Sequence, residues 1–140
     1  MSGSSPSPAS PTLIRAQRIA DATLEAARKS GCTVSVAVVD EHGDPVLVLR
    51  DGARWLTADV ARAKATTAAR MGAPTQSLSV MRSTYPDLWE QLVRRLPEAT
   101  TLGGGLPLHV DGVVVGGIGV SGGSVEQDIE FAQAGLDAAG

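Results

Sequence analysis

A chain of 140 residues holds one hydrophobic core, since a second would need more material. Its 43% hydrophobic and 19% charged residues argue against general disorder. A net charge of −3 with dispersed basic residues excludes nucleic acid as the expected partner. No apolar run reaches the roughly 18 residues a membrane span needs, so a membrane partner is not expected either.

Residues 1–11, MSGSSPSPASP, carry neither a basic n-region nor an apolar h-region. They predict a disordered tail, a cytoplasmic location and a domain covering 12–140. Ser10 as N-cap with Pro11 at the first helical position would open a helix, with Leu13, Ala16, Ala20, Leu24 and Ala27 at helical spacing. Gly31 stops it. Residues 33–40 read as a buried Val-rich strand, EHGD as a turn, and PVLVLR as a second strand closing a hairpin. Thr57 would cap an Ala-rich helix running to about Met71, ended by Gly72 and Pro74.

Thr75 would cap a short helix through Met81, and 86–96 would form another with Leu88, Trp89 and Leu92 facing inward. Asp111-Gly112 between 106–110 and 113–120 is a two-residue hairpin signal. Ser124 and Gln127 form an S-x-x-Q capping box for a last helix reaching about Ala138. With no βαβ alternation, the order implies an α+β domain: an antiparallel sheet with helices on one or both faces.

Gly117-x-Gly119-x-x-Gly122 matches a dinucleotide fingerprint, but only eighteen residues follow it. That is too short for a returning strand, and Glu126 and Asp128 would repel a pyrophosphate. Gly116, Gly117 and Gly119 instead thin one strand so that a helix, another subunit or a flat ligand can approach. Lys64 is one of two lysines against ten arginines, and its pKa would shift readily on burial. Cys32 stands alone and supplies neither a disulfide nor a thiolate cluster. Any nitrogen-ligated metal must use His42, in a turn, or His109, at the end of a strand beside accessible glycine backbone. Glu126 and Asp128, next to the glycine-rich bend, are the candidate catalytic carboxylates.

Four blocks in order, VSVAVVDEHGDPV, LRDGA, KATTAARMGAPTQSL and GGGLPLHVDGVVVGGIGVSGGSVEQD, cover most of 33–128. Together they resemble the GlcG/HbpS family, which includes the C-terminal domain of PduO-type proteins. The resemblance implies a profilin-like antiparallel sheet flanked by helices, assembly as a homo-oligomer, and haem binding tied to haem handling or redox sensing. Transferred onto this sequence, it makes His109 and Thr75 the candidate iron ligands. Lys64 and Gly104 are further cofactor-binding candidates, and Arg70, Glu126 and Asp128 are shared motif positions. The alternative is a cofactor-free enzyme acting on a small organic or specialised metabolite. Glu126, Asp128 or His109 would then move a proton, in a pocket between the C-terminal hairpin and the loop around Tyr85. An accessory subunit using its glycine-rich strand for contacts is the third reading.

Overall fold

A computed structural model describes residues 9–139. The elements run α1 (Leu13–Lys29), β1 (Ser35–Asp40), β2 (Pro45–Arg50), α2 (Thr57–Met71), a 3-10 turn (Thr75–Ser77), α3 (Leu78–Thr84), α4 (Pro86–Arg95), β3 (Gly105–Val110), β4 (Val113–Ser121) and α5 (Val125–Asp137). The four strands form one sheet in the order β2-β1-β4-β3. Every pairing is antiparallel, so the two expected hairpins join through β1 and β4.

Helices cover both faces. Strand β1 is buried from Ser35 to Val39 because alternate residues serve different layers. Val36 and Val38 join Ile19, Leu24, Ile118, Val120 and Phe131 in the core beneath α1 and α5. Ala37 and Val39 meet Ala61, Ala65 and Ala69 of α2 on the other side. The small side chains of α2 let it lie close, and the glycines of β4 let it lie closer. A Cβ on Gly117 would stand 2.5 Å from the Ala65 carbonyl oxygen, and one on Gly119 would overlap that of Ala61. Of the three occupants the glycine strip could take, the structure selects the helix. The glycine-lined strand is therefore filled by α2 rather than left as a recess.

Several local expectations need correcting. Thr12, not Ser10, caps α1, its hydroxyl accepting from the Arg15 amide at 3.2 Å. Ser10 instead donates to the Val115 carbonyl at 3.0 Å and accepts from the Glu41 amide at 3.3 Å. Pro11 is buried against the face of Gly116. Positions 9–11 of the expected tail thus lie on the sheet, and 1–8 fall outside the described residues. Thr57 is the first residue of α2 and does not cap it. Its hydroxyl donates to the Arg54 carbonyl at 2.7 Å and shares a 2.8 Å hydrogen bond with buried Ser35. Leu88 does not face inward, being 55% exposed, and among the described residues α4 leans on no helix or strand but α3.

Other signals match. Gly72 takes the left-handed conformation that ends α2. Asp111 and Gly112 both have positive φ, as a two-residue hairpin turn requires. The Ser124–Gln127 capping box is complete. Among the described residues no helix is long and apolar enough to cross a membrane.

Candidate functional site

The motif residues separate into two places. At the first, where β3 begins, Lys64 reaches from α2 to the first turn of α5. Its Nζ donates to the Val120 carbonyl at 2.8 Å and lies 3.2 Å from Asp128 Oδ2. Asp128 Oδ1 accepts from the Gly123 amide at 2.9 Å. Both side chains are almost wholly enclosed, at 4% and 5% exposure. Desolvation holds the Lys64 ammonium below the ordinary lysine range, against the pull of Asp128. The same cause raises the Asp128 carboxyl, against the pull of Lys64 and the backbone amides.

Thr75 and Gly104 complete this cluster. The Thr75 hydroxyl donates to the Leu102 carbonyl at 2.5 Å and accepts from the Gly105 amide at 3.0 Å, with the residue fully buried. Gly104 has φ +116°, and a Cβ there would sit 2.7 Å from the Val120 carbonyl oxygen and 3.1 Å from Lys64 Nζ. Lys64, Thr75, Gly104 and Asp128 therefore interlock α2, β3, β4 and α5. Their polar groups are spent on one another and on the backbone.

The second place is the other end of β3. His109 lies four residues beyond Gly105, about 13 Å along the strand. It is exposed, next to an irregularity in the β3–β4 register. It lines a hollow of about 300 Å³ with Arg15 of α1 and Gln133, Leu136 and Asp137 of α5. A second hollow of about 500 Å³ adjoins it, lined by Thr12, Ile14, Arg15, Arg18, Val110 and Ala139. Both have the size of ordinary ligand sites.

Glu126 belongs to neither place, being exposed on the first turn of α5. There it complements the helix dipole. His42 is exposed on the β1–β2 turn, its Nε2 3.7 Å from Glu41. Arg70 donates from Nε to the His42 carbonyl at 2.8 Å, tying that turn to α2. Tyr85 is 61% exposed between α3 and α4.

A family model described as "Haem degrading protein HbpS-like" matches residues 12–137. This chain belongs to the HbpS-like family. A crystal structure of a double mutant of HbpS from Streptomyces reticuli is 38% identical, with a TM-score of 0.86 over 99% of this chain and 92% of that one. A PduOC:heme complex is 33% identical, with a TM-score of 0.82 over 91% of this chain and 94% of that one. Corrinoid adenosyltransferase PduO of Salmonella typhimurium strain LT2 is 36% identical over 118 residues, 84% of this chain. The chain spans only 35% of that protein's length. The HbpS-like architecture is the α+β one expected, an antiparallel sheet flanked by helices.

Arg15 and Arg18 were not singled out in the sequence. Their signal was a pair of arginines spaced i, i+3 on the exposed face of the first helix. It acquires meaning only once α1 is placed beside the ends of β3 and α5.

Proposed function

We propose that this HbpS-like chain binds haem at the His109 end of β3, with the imidazole as axial iron ligand, in a haem-handling or redox-sensing role. The observation that carries the reading is an exposed histidine on the rim of an open hollow whose walls include Leu136, with Ile14 and Val110 in the adjoining one. Such a combination can hold an iron porphyrin: a nitrogen donor for the iron, apolar side chains for the ring, and cations for its acid groups. The haem-bound relative supports it. When bound, haem supplies a redox-active iron, and the protein's part is to hold and orient it.

In this reading Lys64, Thr75 and Gly104 fix the start of β3 and reach the ligand only through that strand. The geometry does not bring the two carboxylates of the proton-transfer alternative together, because Asp128 is enclosed with Lys64 while Glu126 stands apart in solvent, which leaves that reading His109 alone. Haemin titration tests the proposal. Wild type and His42→Ala should develop the same sharpened Soret band and His109→Ala should not; a featureless wild-type titration would remove it.

We also propose a homo-oligomer in a reducing, cytoplasmic setting, the latter in keeping with one free, half-buried cysteine, Cys32. The outer face of α4 presents Leu88 and Leu92 with Gln91 and Arg95. Asp87 occupies its first turn, and Arg94 and Arg95 its last. A second copy lying antiparallel on this face would set acidic ends against basic ones. Light scattering should show Leu88→Glu shifted to a smaller species than wild type; an unchanged mass would clear α4 of that role.

A further inference from the structure

We infer that Arg15 and Arg18 form a carboxylate-binding margin to the His109 hollow, selecting a flat apolar ligand with acid groups along one edge. This rests on the haem reading and deepens it by naming the part of the ligand that α1 receives.

The two hollows share Arg15 and Ala139, so they run together around the edge strand β3. Arg15 and Arg18 lie one helical turn apart on the same side of α1, with Cβ atoms roughly 5–6 Å apart. Arg15 is already positioned: its Nε donates to the Ala139 carbonyl at 3.2 Å. Its terminal nitrogens have no partner among the described residues, and neither has any part of the Arg18 guanidinium. Elsewhere on the surface, Arg28, Arg62 and Arg94 each pair with a carboxylate.

One acid, Asp137, lines the smaller hollow and accepts from Gln133 Nε2 at 2.9 Å. It shares the histidine's hollow and is absent from the one holding Arg18. Apolar side chains stand among the polar ones that line the two hollows: Ile14 is 67% exposed, and Val110 and Leu136 are half-buried. Two cations at the margin of this mixed surface match a ligand whose body has apolar parts and whose edge is a pair of carboxylates. A guanidinium receives a carboxylate through two parallel hydrogen bonds, which adds orientation to affinity. The ring would then be set with its acid edge toward α1 and its centre toward His109.

The test compares iron protoporphyrin IX with its dimethyl ester, which keeps the ring and iron but masks both acids. Each is titrated by absorbance into wild type, Arg18→Gln and the Arg15→Gln/Arg18→Gln double variant, with thermal melts confirming the fold. Arg18→Gln alone should weaken binding of the free acid about tenfold or more. The double variant should weaken it further, and the ester should bind all three proteins alike. Folded variants that bind the free acid as tightly as wild type would overturn the inference and leave the haem reading standing. Equal losses for acid and ester would overturn it too, as general damage to the hollow. A wild type that takes up neither porphyrin would sink both.

Discussion

The two ends of strand β3 are built on opposite principles. At Gly104–Gly105 the polar groups of Lys64, Thr75 and Asp128 all have partners, and no room is left even for a Cβ. At His109 an exposed imidazole and two arginines border open hollows lined by both polar and apolar side chains. Unusual residues in a sequence therefore carry two meanings that only packing separates. A buried, satisfied polar cluster organises a fold, whereas solvent-facing groups around a hollow are open to a ligand.

The largest effect should come from breaking the closed end. Lys64→Met leaves the Asp128 carboxylate buried without its cation, which costs about 3–5 kcal/mol. Urea unfolding should show that loss, and Lys64→Met/Asp128→Leu should recover much of it because no charge is then left stranded. If the single variant proves as stable as the double, the pair does not lock the fold.

A smaller change sharpens the contrast at Thr75. Thr75→Val keeps the shape but strands the Leu102 carbonyl and the Gly105 amide, at a cost of about 1–3 kcal/mol. Below its lowered melting temperature this variant should still develop the wild-type Soret band with haemin. Loss of the band in a folded Thr75→Val protein would return the iron to the threonine and move the ligand site to the closed end.

Much of this was legible in the sequence, for reasons that differ along the chain. The capping box at Ser124, the Asp111-Gly112 turn and the stop at Gly72 are local, so their chemistry is complete within a few residues. Lys64 and Asp128 could each be singled out, but their pairing could not, because 64 positions separate them and the contact depends on how α2 crosses the sheet. Ser10 and Thr57 misled for the opposite reason. Each looks like a cap in its local sequence, yet tertiary partners claim its hydroxyl. Leu88 misled because helical spacing reveals an apolar face without saying whether anything in the same chain covers it.

The smallest effect on stability and the sharpest on function should fall on His109. Its side chain is exposed and contributes to neither core cluster, so His109→Gln should change the unfolding free energy measured in urea by no more than about 0.5 kcal/mol. Glutamine keeps a polar side chain of similar reach but offers no imidazole nitrogen to iron. A folded His109→Gln protein should therefore lose the ligated Soret spectrum while Lys64→Met, though much less stable, retains it wherever it remains folded. That crossed pattern separates a residue that acts through the fold from one that acts on a ligand. Were His109→Gln to keep the spectrum, the open end of β3 would lose its claim to the iron, although the arginine margin could still be judged from the porphyrin ester.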